Sequence, residues 1–344
     1  MPITTDLPKA NKTRSEIVRA AGCSQAEPPA EWLQPEPTRR QQHSPSRPHS
    51  LSASLQSMPA RLHPFRTVLA LVSAIALSSA LAAQTKQSNL DTERLLDISQ
   101  REQKIYQQLA ADPEYYSGDD LERHLNELIF SYRTYLAENP DDLSALILYG
   151  KLLRRIGKND EAFKAFLRAD ELDPQIAVVK QQIGNHLAET GKGKAALTFT
   201  LNAITLEPEV PAYHYALGEI LYTFREPFIQ QAVFSRDALD REMLKAFETA
   251  VRLEPGNFDA QMRLGEAYYD LASPDWKAAL LHWNKVRKDS PNDDLLRRQI
   301  LDLHKVRVLG KLGRSAEATA LAATIVQPSL QQSKQQVLDE IRVY

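Results

Sequence analysis

Apolar, small and proline residues recur at an interval of 34 residues in the middle of the chain. A glycine preceded by an apolar residue occurs at Gly150, Gly184 and Gly218. Alanines follow at Ala162, Ala169, Ala196 and Ala203, and prolines close the interval at Pro174 and Pro208. A fixed period of this length indicates supersecondary units that bury their apolar faces only by stacking on one another. The sequence therefore predicts a stacked array of repeats.

This pattern resembles the tetratricopeptide repeat. In that family, helix A carries an apolar residue and a glycine, helix B carries small and aromatic residues, and a proline follows. The resemblance implies an all-α fold, a right-handed α-solenoid of helix-turn-helix repeats that ends in a C-terminal capping helix. Glycine within a helix costs about 1 kcal/mol relative to alanine, so we expect a neighbouring helix to cross at close range at each glycine. Each proline is expected just after helix B, since proline cannot continue a helix.

The later repeats contain insertions, which the terminal proline locates. The interval from Pro208 to Pro255 is 47 residues, so 13 residues are inserted there, and the next interval, to Pro291, is 36 residues with Gly265 as its helix A glycine. The inserted segment, residues 224–236, contains three phenylalanines and is more apolar than a solvated loop. It is expected either to dock on the helices of its own chain or to contact a partner.

The first and last repeats are predicted to be atypical, because one face of each meets solvent. A helix near residues 91–111 pairs with a degenerate helix B that ends at Pro140. The last repeat ends at Pro328, lacks the helix A glycine, and has its small residues assigned to Ala316 and Ala323. The predicted repeats lie near 107–140, 143–176, 177–210, 211–257, 258–293 and 294–330, within a solenoid over 84–344 and before a cap over 330–343.

The N-terminal part of the chain differs in composition from the repeats. Residues 1–57 are rich in proline, serine and glutamine without helical or strand periodicity, so they are predicted to be disordered. Residues 58–83 resemble a secretory signal peptide, with a basic start, an apolar run and small residues at its end. Translation starting at Met58 is one interpretation, in which residues 1–57 are not part of the protein. The other is an uncleaved helix over 67–83 that anchors the chain.

Composition and motifs argue against several classes of function. The chain has 42 basic and 44 acidic side chains, so it lacks the basic surplus of a nucleic-acid-binding protein. The single cysteine, Cys23, excludes a disulfide framework and a thiolate metal site. The histidines have no metal-ligand spacing, and the Gly-Lys sequence at residues 190–194 is assigned to a turn between helices. We therefore predict no catalytic activity, no cofactor and no metal.

The family resemblance implies that helix A side chains line a concave groove that holds a peptide or a partner helix. The corresponding positions are Lys151, Arg154, Arg155, Gln181, Asn185, Tyr215, Glu219, Tyr222, Glu266 and Tyr269. The basic residues are expected to pair with carboxylates of a partner, and the tyrosines to anchor it. In the alternative interpretation, the basic residues form a solvated face and the tyrosines pack within the chain.

The sequence as a whole predicts a non-catalytic protein-protein interaction scaffold in the cell envelope. Its partner is expected to be a protein or peptide, not a nucleic acid. The chain is expected to be exported, with the periplasm as its compartment. The alternative is an assembly or chaperone factor for envelope complexes, tethered to the inner membrane by residues 67–83 with the solenoid outside the cytoplasm.

Overall fold

The structure is a computed structural model that describes residues 89–289 and 294–342. The described chain forms two compact units, here called the N-terminal and C-terminal units, which divide between Ala165 and Phe166. All regular structure in these residues is helical, without a strand, which confirms the predicted all-α fold class. The predicted disordered segment, the predicted signal sequence and Pro291 lie outside the described residues.

The N-terminal unit is built from three helices and the first part of a fourth. They are α1 (89–111), α2 (Gly118–Glu138), α3 (Leu143–Arg155) and α4 (Asn159–Leu172). Ser117 and Asp142 cap the second and third helices by accepting hydrogen bonds from the backbone N–H groups of Asp120 and Ala145. Tyr132 and Tyr135 of α2 are fully buried, so this helix supplies the aromatic core of the unit.

The C-terminal unit continues the series of helices. They are the end of α4, then α5 (Ala177–Glu189), α6 (Gly193–Leu206), α7 (Pro211–Thr223), α8 (Arg225–Gln230), α9 (Arg236–Leu253), α10 (Phe258–Asp270), α11 (Trp276–Asp289), α12 (Leu295–Lys311), α13 (Ser315–Ala323) and α14 (Gln331–Arg342). Helices α3, α5, α7 and α10 are each 13 residues long, and the first three begin at intervals of 34 residues. Helices α5, α7, α10 and α12 are the A helices of this unit, and α6, α9, α11 and α13 are its B helices.

In three pairs of the C-terminal unit, helix A comes close to helix B at its glycine. A Cβ atom built on Gly184 would lie 2.9 Å from Thr200 Oγ1, and one built on Gly218 would lie 2.6 Å from Phe247 Cε1. At Gly265 the same atom would overlap the indole of Trp283. The alanines Ala162, Ala169, Ala196 and Ala203 are buried, and Gly150 is buried as well. A side chain at Gly184, Gly218 or Gly265 would therefore push the two helices of its pair apart.

The turns between helices follow the pattern of glycine and proline. Gly191, in the Gly-Lys sequence between α5 and α6, has φ +76°, a left-handed conformation that side chains disfavour. Pro174, Pro208 and Pro255 each stand two residues after the end of a B helix. The Gly-Lys sequence thus forms an inter-helix turn, as its position in the repeat predicts.

The inserted segment forms the short helix α8 and a turn that leads into α9, which is 18 residues long. Phe228 is fully buried, and its ring centroid lies 5.9 Å from that of Phe224 and 6.0 Å from that of Phe234. Phe224 in turn packs against Gly193, where an added Cβ would overlap its ring. Because its phenylalanines cover one another and the start of α6, the segment docks on its own unit.

The last repeat differs from its predicted register. Asp302 occupies the eighth position of α12, where the other A helices have glycine. The predicted small residues Ala316 and Ala323 are exposed, whereas Ala318 and Ala322 are buried, so that assignment was wrong. The predicted positions assume that helix B ends two residues before its proline, as in the other repeats. Instead, α13 ends five residues before Pro328.

The capping region closes this end of the unit. The capping helix α14 packs Ile341 against Gly310 and buries Val337 in the last core cluster. Among residues 89–289 and 294–342, no helix has the length and hydropathy needed to cross a membrane.

Candidate functional site

The A helices of the C-terminal unit bring together polar and aromatic side chains of the predicted groove. We call this set the A-helix surface. It consists of Tyr215, Glu219 and Tyr222 on α7, Asp259, Arg263, Glu266 and Asp270 on α10, and His304 and Arg307 on α12. Side-chain contacts join α7 to α10 and α10 to α12, so these positions form one connected surface.

Arg263 is the centre of this surface. Its Nε donates to Glu219 Oε1 at 2.6 Å, which links α10 to α7, and its Nη1 donates to Asp270 Oδ2 at 2.9 Å. The guanidinium carbon lies 4.5 Å from the ring centroid of Tyr222 and 4.6 Å from that of Phe247. The Arg263 side chain is only 11% exposed, so these charged and cation–π contacts hold it in one position.

Glu266 lies one helical turn beyond Arg263 and faces α12. Its Oε1 is 4.0 Å from Nε2 of His304, and its side chain is 44% exposed. Partial burial raises the pKa of Glu266; Arg263 and Arg307 oppose the shift, and Asp270 and Glu219 add to it. Several charged groups thus act on Glu266 at once, without any of them forming a close ion pair with it.

His304 is neutral in this setting. Burial lowers its pKa to about 4, and the nearby positive charge of Arg307 adds to the shift. Its ring stacks on Trp283 with the centroids 4.5 Å apart. Near pH 7 the imidazole is therefore uncharged and does not neutralise Glu266.

The three predicted tyrosine anchors have different surroundings. Tyr222 is 42% exposed and lies over Arg263, so part of its ring is open to solvent. Tyr215 is half-buried, and its ring meets that of Phe247 edge-on at 5.8 Å. Tyr269 stacks on Trp276 at 5.2 Å, and its hydroxyl accepts a hydrogen bond from Trp283 Nε1. Tyr269 thus packs within the chain, while Tyr222 presents its ring to solvent.

The polar pair predicted on α5 contributes less to this surface. Gln181 and Asn185 are both half-buried. The Gln181 side chain accepts a hydrogen bond from Gln182 at 3.2 Å, a contact within its own helix. No contact of either residue identifies a function for it.

The predicted basic cluster lies in the N-terminal unit, where α1 meets α3. Arg155 Nη1 is 3.8 Å from Glu102 Oε1, and its guanidinium lies 4.0 Å from the ring centroid of Tyr106. Burial lowers the pKa of Lys151; Arg155 adds to the shift, and Glu102 opposes it. Arg154 is half-buried in the same helix. Glu102 of α1 thus supplies a carboxylate to this cluster from within the chain.

Sequence periodicity did not identify Arg263, His304 and Arg307. Arg263 is three residues before Glu266, so helical spacing places it beside this predicted groove position. The other two lie on α12, which has Asp302 at the position of the A-helix glycine, so the repeat pattern predicts no groove positions there.

The histidines of the repeats lie in structural contacts. His214 Nε2 is 2.7 Å from the carbonyl oxygen of Pro208, and His282 Nε2 is 2.7 Å from that of Gln261. In the part of the chain that the structure describes, no group of three His, Cys, Asp or Glu side chains is arranged to hold a metal ion.

Comparison with known proteins identifies the repeats. Residues 131–175 and 244–294 match the tetratricopeptide repeat family model, so these two segments carry repeats of that kind. The first segment includes all of α3 and α4, and the second includes all of α10 and α11. No curated protein sequence matches the chain.

Solved structures show similarity at low sequence identity. The chain is similar to YrrB, described as a TPR protein with an unusual peptide-binding site, at 16% identity and a TM-score of 0.48, over 61% of this chain and 97% of YrrB. It is similar to PilF of Pseudomonas aeruginosa at 15% identity and a TM-score of 0.46, over 64% of this chain and 90% of PilF. The values for MamA are 19% identity and a TM-score of 0.41, over 49% of this chain and 85% of MamA.

Proposed function

We propose that the chain is a non-catalytic protein-interaction scaffold whose A-helix surface binds a peptide or a helix of a partner protein. The observation that carries this proposal is the partly exposed ring of Tyr222, fixed against Arg263 in a connected row of side chains from α7 and α10. Rigid aromatic side chains held by charged neighbours are typical of residues that anchor protein-protein interfaces.

Two further observations support this function. The tetratricopeptide repeat match includes α10, which contributes Arg263 and Glu266 to the surface. Stacked helical repeats form extended binding surfaces from corresponding positions of successive units.

The proposed location in the cell envelope, soluble or membrane-tethered, rests on the sequence of residues 58–83 alone, and N-terminal sequencing of the exported chain tests it.

Replacing Tyr222 with alanine is expected to weaken partner binding about tenfold or more, because an interface anchor of this type contributes on the order of 2 kcal/mol. The measurement is co-purification of the tagged chain from cells that express it naturally, followed by titration of the recovered partner. Circular dichroism establishes that the Tyr222→Ala variant remains folded.

Leu281→Ala is the matched control, because Leu281 is 72% exposed and lies on the B helix α11. Its removal is expected to leave partner recovery unchanged. Loss of the partner with the Leu281→Ala variant, but not with the Tyr222→Ala variant, would place the interaction elsewhere and contradict the proposal.

A further inference from the structure

The carboxylates of the A-helix surface differ in how their charge is balanced. Glu219 and Asp270 both pair with Arg263. Arg307 Nε is 3.1 Å from Glu340 Oε2, and Lys311 Nζ is 3.2 Å from the other oxygen of that carboxylate, so the nearest base on α12 already has an acidic partner. Among residues 89–289 and 294–342, Asp259 and Glu266 are the carboxylates of this surface without an arginine or lysine within ion-pair distance, and Glu266 is the one that faces α12.

Glu266 lacks a cation of its own. Among residues 89–289 and 294–342, the side chain within ion-pair distance of its carboxylate is His304, whose ring is neutral near pH 7. The Glu266 side chain is nevertheless 44% exposed, so an incoming group can reach it. A carboxylate that is accessible and whose negative charge is not neutralised by a neighbouring cation attracts a positively charged group of a partner.

The groups around Glu266 suit a long basic side chain. Burial raises the pKa of Tyr215; the charges of Glu219, Asp259 and Glu266 add to the shift, and Arg263 opposes it. Tyr222 of α7 leaves part of its ring open to solvent beside Arg263. Lysine and arginine combine an apolar stem with a charged end, so the stem can lie on aromatic rings while the end meets a carboxylate.

We propose that the A-helix surface takes a basic segment of its partner, with a lysine or arginine side chain seated on the Glu266 carboxylate. This inference rests on the proposed function, because it assigns a chemistry to the partner of the same surface. It commits to a basic peptide segment, and acidic or uncharged segments are the alternatives that the experiment distinguishes.

The experiment is selection of binders to the full chain from a random peptide display library. Peptides that bind the wild-type chain but not the Tyr222→Ala variant are taken to bind the A-helix surface. These peptides are expected to be enriched in lysine and arginine relative to the library. One of them, made with a fluorescent label, then serves as the probe for affinity measurements by fluorescence anisotropy.

Variants of Glu266 test whether its carboxylate binds the basic side chain. Glu266→Gln is expected to lower the affinity for the probe peptide about fivefold to tenfold, the size of one partly exposed charge-assisted contact. Added salt is expected to lower the affinity of the wild-type chain for the probe. Selection on Glu266→Lys is expected to favour acidic peptides instead. Glu242→Gln, which removes an exposed acid from the B helix α9, is the control and is expected to keep wild-type affinity.

The outcomes separate the inference from the function on which it rests. If peptides are selected and depend on Tyr222, but show no basic enrichment and no response to Glu266→Gln, the basic-segment inference is overturned and the binding surface stands. If the selected peptides bind the Tyr222→Ala variant as well as wild type, the proposed function and the inference both fail.

Discussion

Replacing Trp283 with alanine is expected to lower the free energy of unfolding by about 3–5 kcal/mol. Trp283 of α11 is the largest fully buried side chain in the described part of the chain, and it packs against α10 and α12. Its indole fills the space at Gly265, stacks on His304, and donates a hydrogen bond to the Tyr269 hydroxyl. Truncation leaves a cavity that these three neighbours cannot fill, since α10 and α12 hold them in place.

Chemical denaturation followed by circular dichroism measures this loss. Because repeats contact only their neighbours, hydrogen exchange is expected to accelerate first in α10, α11 and α12. Leu281→Ala, on the same helix but exposed, is expected to change the free energy of unfolding by less than about 0.5 kcal/mol. Equal effects of the two substitutions would contradict the packing described for Trp283.

Replacing Gly265 with alanine is expected to destabilise the chain by about 2 kcal/mol or more. In an exposed helix the same substitution would stabilise by about 1 kcal/mol. Here the new methyl group would overlap the Cζ2 and Cη2 atoms of Trp283, which is fully buried and cannot move aside cheaply. The overlap outweighs the gain in helix propensity, so the sign of the effect reverses.

A matched control and a double variant isolate the cause. Gly256→Ala is expected to be nearly neutral, because no atom lies within 4 Å of its added Cβ. Combining Gly265→Ala with Trp283→Ala is expected to cost less than the two single effects together, since the second change removes the atoms that the first one meets. Strict additivity would show that the destabilisation by Gly265→Ala has another origin.

The sequence predicted the helical framework because its signals are local and periodic. The starts of α3, α5 and α7 follow from the 34-residue interval, and the glycine of each A helix predicted where helices approach closely. The register of α13 was missed, since Pro328 is separated from that helix by additional residues that the interval does not reveal. A repeat interval does not predict the register of a helix when the turn next to it differs in length from the corresponding turn of the other repeats.

The candidate site was predictable in part. Helical position identified Tyr222 and Glu266, whereas the environment of each depends on side chains from other elements. Tyr269 was expected on the surface but packs on Trp276 and Trp283, and the partner of Arg155 is Glu102, more than fifty residues away along the chain. Such pairings follow from helix stacking, which fixes distances that a sequence pattern does not contain.

We propose that the A helices of the C-terminal unit carry the partner-binding surface. Site-specific photo-crosslinking tests this proposal, with the crosslinking residue placed in turn at the exposed positions Thr223 and Asp259 on A helices, which leaves Tyr222 and Glu266 in place, and at Glu242 and Leu281 on B helices. Crosslinks to one partner protein are expected from the two A-helix positions and none from the two B-helix positions. Crosslinks to that partner from the B-helix positions alone would contradict it.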